Sequence, residues 1–222
     1  MSVITISRQY GSGGDEIAAQ VCEQLGYKYF DKQLMSKIAS EVSLAEVQMS
    51  DISEDSYKSR NFLERLLVPS SRVKTAEIRS WTRDTSGGRS VLVESLDEEA
   101  TINLVRATVE AVYKLDDIVI MGRGGQAILQ NKPGVLHVRI EAPQEKRIHD
   151  IQQQEQLGEV EARDLINEKD KAAETYLRRF HSVNWNNPLL YHLVLNTGKF
   201  EIRAAVQLIC EAVKHLEPIT AL

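Results

Sequence analysis

The chain has 222 residues, 42% of them hydrophobic, and a formal net charge of −5. That length supplies one sizeable core with inserted lobes rather than several independent domains, and the acidic balance argues against a general nucleic-acid binder, whose affinity rests on many Lys and Arg contacts to phosphate. Only two cysteines occur, Cys22 and Cys210, each on a predicted helix among apolar neighbours, so free buried thiols are expected and neither a disulfide nor a metal site is.

The first element is a β-branched strand, Val3-Ile4-Thr5-Ile6-Ser7, which runs through Arg8-Gln9-Tyr10 into Gly11-Ser12-Gly13-Gly14 and then a helix that opens with Asp15 and Glu16. Glycines between a strand and a helix let the backbone turn sharply and bring several N–H groups toward one point, where the helix dipole adds partial positive charge. Such a loop is a cradle for phosphate. A Walker A loop also carries a lysine and a hydroxyl; with Gly13 at its second glycine, Gly14 stands at the lysine position and Asp15 at the hydroxyl position. Positive charge must then come from elsewhere, and Arg8 at the loop mouth either grips phosphate oxygens in bidentate fashion or, equally, ties the loop to a neighbouring carboxylate.

Ile17, Ala18, Val21 and Leu25 recur at helical spacing and Gly26 ends the helix. Lys28 to Phe30 reads as a short strand, after which Asp31 caps a helix to about Val42. From about Leu44 to Ser95 the pattern is helical in pieces with no strong strand signal, broken near Pro69-Ser70-Ser71 and at Gly87-Gly88. Between Arg60 and Arg89 this segment holds seven basic residues against three acidic ones, which suits a lobe closing on an anionic acceptor and equally a solvated helical face. Trp81 within it either stacks on a base or fills a core.

Ser95-Leu96-Asp97-Glu98 has capping-box spacing before a helix marked by Ile102, Val105, Val109 and Val112 and ending near Leu115. The apolar run Asp117 to Gly122 reads as a central strand, Val135 to Ile140 as another, and Pro143 suits the start of a helix from Gln144. A long amphipathic helix spans about Val160 to Phe180, Leu190 to Leu195 is the last strand, and Ile202, Val206, Ile209, Val213 and Leu216 mark the closing helix. Alternation of strands with helices predicts an α/β fold with a parallel sheet covered on both faces, whose ligands sit at the carboxyl ends of the strands. Polar or glycine-bearing loops gather there: Arg8 to Asp15, Asp31-Lys32, Gly122-Arg123-Gly124-Gly125 and Asn196-Thr197-Gly198. No apolar run approaches the roughly 20 residues that span a bilayer, and the first strand starts close to Met1, so a cytoplasmic protein without leader or membrane segment is expected.

Five segments carry a resemblance to the cytidylate kinase-like branch of the P-loop nucleoside monophosphate kinases. They are Ile6 to Gly14, similar to a lysine-less loop of the form S-R-x-x-G-S-G-G; Tyr29 to Leu34, similar to Y-D-K-x-L; Val119 to Gly125, similar to V-I-x-G-R-G; Ile166 to Lys171 with Arg178-Arg179-Phe180, similar to the lid helix; and Tyr191 to Thr197, similar to the last strand and the turn beside the adenine. The resemblance implies a P-loop NTPase three-layer fold with a five-stranded parallel sheet, an acceptor-binding helical insert over about 44–95 and a helical lid over about 157–187. It implies ATP and Mg2+ as cofactors, a nucleotide and a small-molecule acceptor as partners, and compatibility with a homodimer.

Carried over residue by residue, the resemblance implies that Gly11, Ser12, Gly13, Gly14, Asp15, Glu16, Asn196 and Thr197 hold the nucleotide. Arg8, Lys171, Arg178 and Arg179 supply positive charge for transfer, and Asp31, Lys32 and Arg123 hold the acceptor; the spacing of Glu168 and Glu174 also allows the lid helix the plainer reading of a solvated face of i,i+3 and i,i+4 charge pairs. Asp15 stands where many members of the branch have a basic residue, and Gly124 replaces the acidic residue of G-R-D, which weakens any inference of cytosine selectivity. Three readings stay open: a kinase of a nucleoside monophosphate such as CMP or dCMP, a nucleotide-binding sensor or pseudokinase, and a kinase of another small anionic metabolite. A lysine restored at Gly14 is expected to raise ATP affinity if Asp15 leaves room for it.

Overall fold

The protein is described by a computed structural model covering residues 2–30, 80–83, 89–92 and 98–216. The chain divides into two compact units, one made of Met1–Asp31 with Ala107–Leu222 and the other of Lys32–Arg106.

In the first unit, β1 (Val3–Arg8) leads through the glycine loop into α1 (Gly14–Leu25) and β2 (Lys28–Phe30). The Gly26 that ends α1 adopts φ 70°, the left-handed conformation that glycine reaches without a Cβ penalty. Five parallel strands form the sheet in the order β2-β5-β1-β6-β7, where β5 is Ile118–Met121, β6 is Val135–Glu141 and β7 is Leu193–Asn196. β1 is central: Ile4 pairs with Val119 of β5 on one side and with Leu136 of β6 on the other. This is the parallel α/β sheet expected from the alternating elements.

Strand alternation sends Ile4, Ile6, Val119, Met121, Leu136, Val138 and Ile140 to one face, where they join Ile17, Ala18 and Val21 of α1 in one cluster. Ala205, Val206 and Ile209 of α6 (Ile202–Lys214) complete it, and the two cysteines lie in the same cluster as buried free thiols. Burial pushes the Cys22 thiol up to about 11, so it behaves as a small apolar side chain. Removing Ile17 or Val21, both fully buried, would cost about 2–5 kcal/mol through lost transfer energy and an unfilled cavity. On the other face the short helix α3 (Gly125–Ile128) lies so near the sheet that a Cβ on Gly125 would stand 3.2 Å from Thr5 Cγ2.

α2 (Glu98–Tyr113) contributes Val109 and Val112 to the buried interior. α4 (Gln144–Glu155) and α5 (Glu159–His181) form a helix pair sealed by Ile148, Ile151, Ala162 and Ile166, with Tyr10 of the glycine loop packed against them. Within the second unit, β3 (Ser80–Arg83) and β4 (Arg89–Leu92) form an antiparallel hairpin with Trp81 opposite Val91. This corrects the reading of that stretch as lacking strands: two four-residue strands with charged ends are too short for alternation to stand out. The last strand is also shorter than expected. Pro188–Leu190 forms a turn of 3-10 helix in which Asn187 Oδ1 accepts the Leu189 amide at 3.1 Å, so β7 starts at Leu193. The capping box before α2 and the helix from Asp31 involve residues outside the described ones.

Candidate functional site

The loop between β1 and α1 is built by two left-handed glycines, Gly11 at φ 78° and Gly13 at φ 77°. Gly11 has no room for a side chain, because a Cβ would lie 2.9 Å from Ile151 Cγ1 and 3.2 Å from the Arg147 carbonyl. Ser12 is fully buried, and its hydroxyl donates inward to the Gln9 carbonyl at 2.7 Å while its amide donates to the same carbonyl at 3.2 Å. The Ile17 amide is the first of α1 to reach back, to Gly13 O at 3.0 Å, which leaves the amides of Gly14, Asp15 and Glu16 at the helix N-terminus. Amides grouped there with the dipole behind them fit a phosphate chain.

Thr197 and Ser12 illustrate how far buried hydroxyls serve the scaffold. The Thr197 hydroxyl donates to the Ser12 carbonyl at 2.8 Å, so it fastens the last strand's loop to the glycine loop. Asn196 closes its own turn, with Oδ1 accepting the Gly198 amide at 2.8 Å. Glu16 accepts from Gln20 one helical turn on, at 3.0 Å, and points along the helix surface.

Arg8 crosses the loop. Its Nε and Nη2 donate to the two carboxylate oxygens of Asp15, each at 3.1 Å, and its stem covers Gly14. A Cβ on Gly122 would be 4.0 Å from Arg8 Nη1, so the guanidinium lies between the loops that follow β1 and β5. In the second of these loops Gly122, Arg123 and Gly124 all have positive φ, at 67°, 56° and 69°. For Arg123 that conformation costs about 1–2 kcal/mol, and strain of this kind concentrates at functional loops. The loop is held by the Gly122 amide on Ile6 O at 2.9 Å and by the Tyr176 hydroxyl on Arg123 O at 3.4 Å.

The strongest grouping lies on α5. Asn167, Lys171, Thr175 and Arg178 follow one another at intervals of four, four and three residues, a single helical face about 16 Å long. With Gln9 from the glycine loop and Trp185 and Asn186 beyond the helix, this face lines a cleft of about 430 Å³ that also takes in Asp170 and Glu174. Among the described residues neither Lys171 nor Arg178 has an ion-pair partner, so pairing with nearby glutamates is not what orients them. Arg179 faces elsewhere and rests on the Phe180 ring, 5.3 Å from its centre. The far wall is stiffened by Arg139, which stacks on the Trp185 ring at 4.4 Å and donates to Asn186 Oδ1 at 2.8 Å, while the indole N–H donates to Ser7 Oγ at 2.8 Å.

Of the residues expected from sequence, Arg8, the glycine loop, Lys171, Arg178 and Arg123 stand on elements at the carboxyl end of the sheet, and Lys171 and Arg178 share the cleft. Asp31 and Lys32 lie outside the described residues. Sequence reasoning does not reach Gln9, Asn167, Thr175, Trp185 and Asn186; helical spacing from Lys171 points to Asn167 and Thr175, but nothing local marks Trp185. Among the described residues no group of three or more His, Cys, Asp or Glu side chains could hold a metal ion. Asp15, the carboxylate at the start of α1, is held through both oxygens by Arg8. No helix among the described residues is long and apolar enough to cross a membrane.

Comparison with known proteins agrees with this architecture. Residues 3–199 match the cytidylate kinase-like family. Over 155 residues the chain is 25% identical to a uronate isomerase of Corynebacterium glutamicum, an alignment taking in 66% of this chain and 29% of that protein. The chain thus spans under a third of that relative's length. Among solved structures it is similar to an uncharacterized protein from Eubacterium ventriosum, with a TM-score of 0.65 and 17% identity over 96% of this chain and 98% of that one. It is also similar to shikimate kinase from Bacteroides thetaiotaomicron, with a TM-score of 0.50 and 13% identity over the same shares. At such identities the likeness is one of fold. The glycine loop at the end of a central parallel strand, with the match over nearly the whole chain, makes this protein a member of the cytidylate kinase-like family, built on the P-loop kinase fold.

Proposed function

We propose that the protein transfers the γ-phosphoryl group of ATP to a small anionic acceptor, with a nucleoside monophosphate such as CMP or dCMP favoured. The observation that carries this reading is the cleft in which Gln9 of the glycine loop meets Lys171 and Arg178 of α5. Phosphoryl transfer needs two ligands held in line and positive charge spread over the moving group, in a space from which water can be excluded. Two cations without ion-pair partners among the described residues, beside a loop shaped for phosphate, meet that need.

In this reading the amides of Gly14, Asp15 and Glu16 cradle the donor's phosphates at the end of a loop shaped by Gly11, Ser12 and Gly13, and Arg8 takes the place of the missing lysine after leaving Asp15. Lys171 and Arg178 neutralise the transferred group, while Arg123, Asp31 and Lys32 hold the acceptor. ATP with magnesium supplies the phosphoryl group. The segment of about 44–95, which is basic between Arg60 and Arg89, serves as the acceptor lobe, and about 157–187 as the lid. The test is an ADP-release assay with CMP, dCMP, UMP, AMP and a panel of anionic metabolites. Turnover with a cytidine nucleotide supports the reading, and silence with every acceptor ends it.

A second reading, a nucleotide-binding protein without turnover, is favoured by the bidentate Arg8–Asp15 pair, which keeps the arginine at the loop engaged. Calorimetry with Mg·ATP on a preparation silent in the assay separates binding from complete inactivity.

A further inference from the structure

One residue of the glycine loop, Tyr10, has both of its main-chain polar groups gripped by a largely buried ion pair. The Tyr10 amide donates to Asp170 Oδ1 at 2.8 Å, and the Tyr10 carbonyl accepts from Arg147 Nη1 at 3.2 Å. The same Arg147 Nη1 donates to Asp170 Oδ2 at 2.6 Å, closing a triangle between the loop, α4 and α5. Arg147 is 8% exposed and Asp170 19%, so these bonds are little screened by water. Gly11 follows directly in the left-handed conformation, pressed on the Arg147 main chain. Tyr10 itself is drawn the same way: burial first, then the Glu155 carboxylate at the end of α4, raise its phenol above the usual value.

We infer that Asp170 and Arg147 are positioning residues that join the α5 helix to the phosphate loop, so that the direction of the amides after Tyr10 depends on where α5 stands. The inference rests on the phosphate-binding role proposed above for the loop. Three features support it. The two contacts fix both polar groups of Tyr10, and the rotation of the next peptide about Gly11 is the softest step between Tyr10 and the cradle. Asp170 also forms part of the cleft wall beside Lys171, so a ligand that shifts α5 pulls on the loop through the same carboxylate. Arg147 does not line the cleft, so its effect on binding passes through the two groups it holds, the Tyr10 carbonyl and the Asp170 carboxylate, and exchange at the loop amides reads the first of these routes. Helix and loop are therefore tied together at this point.

The test uses the full chain with Arg147→Lys, Arg147→Met and Asp170→Asn. Amide hydrogen exchange without nucleotide is read at Tyr10 and Gly11 against the α1 and α6 core. Asp170→Asn and Arg147→Met should raise exchange at those two amides at least tenfold and leave the core unchanged, while Arg147→Lys, which keeps the charge, should stay near wild type. In calorimetry with Mg·ATP the same two variants should bind roughly tenfold to a hundredfold more weakly, as expected when a binding group is misplaced by about 1 Å. Wild-type exchange at Tyr10 in Arg147→Met, or unchanged affinity in that variant, overturns the inference. If the wild-type protein binds no Mg·ATP, the proposed function fails, and the exchange measurement alone still decides whether the clamp exists.

Discussion

Arg8 occupies the space above Gly14: a Cβ added to Gly14 would stand 2.6 Å from Arg8 Cβ and 2.8 Å from Arg8 Cγ. The two residues are fitted to each other, since the arginine can fold across the loop only where the helix begins without a side chain. The atoms in conflict belong to the stem near the Arg8 main chain and cannot swing aside as a flexible tip could. The absence of a lysine at this position and the presence of Arg8 are therefore one structural fact.

A first prediction replaces the simple expectation that a restored lysine helps. Gly14→Lys should lose about 1–3 kcal/mol of stability through overpacking and should not raise ATP affinity. Chemical denaturation and calorimetry read the two effects. A stable variant that binds ATP more tightly would show that Arg8 yields its place at little cost.

Under the proposed function Arg8 serves the donor's phosphates, and Asp15, which it now grips, would compete with them for it and add negative charge beside the loop. Both side chains are substantially exposed, so the pair itself contributes no more than about 1 kcal/mol. Asp15→Asn should tighten Mg·ATP binding by roughly threefold to tenfold, less at high salt, and Arg8→Ala should weaken it. An Asp15→Asn protein with wild-type affinity at low salt would rule out this competition.

Lys171 and Arg178 are exposed on one face of α5, whereas Arg179 lies on Phe180. Replacing either of the first two by alanine should lower kcat by about a hundredfold to a thousandfold, the range seen when one charge-stabilising group is removed, with little change in melting temperature. Arg179→Ala should cost far less activity. Equal losses in all three would mean that the helix face lining the cleft does not select the working cations.

Acid should destabilise the fold through His137. This ring is buried, its Nδ1 is 2.7 Å from Thr5 Oγ1, and His192 stacks on it at 5.0 Å. Burial, and then the neighbouring His192, lower its pKa from the ordinary 6.5 to about 4. The unfolded chain thus binds more protons between those values, so stability rises with pH across that window and is lost as pH falls from about 6.5 toward 4. The loss reaches on the order of 3 kcal/mol for this one group. Melting temperatures from pH 7.5 to 4.5 check it: His137→Gln should flatten the curve, and an equally steep fall in that variant would shift the acid sensitivity to other groups.

Local chemistry is enough to make the α/β alternation readable. A β-branched run, a glycine turn and a 3.6-residue apolar period each follow from the preferences of a few adjacent residues, so β1, α1, β5, β6, α5 and α6 are all legible in the chain. Two short hairpin strands are not, because four residues carry too little periodicity, and the start of β7 is displaced by the Asn187-Pro188 turn. Motif order alone points to the family.

Long-range packing decided the rest. That Asp170 holds an amide 160 residues away and that Trp185 closes a cleft begun by Gln9 are meetings of distant segments. No local preference encodes them: a hydrogen bond or an ion pair depends on where the sheet and the helices bring two side chains, and their spacing along the chain carries no record of it.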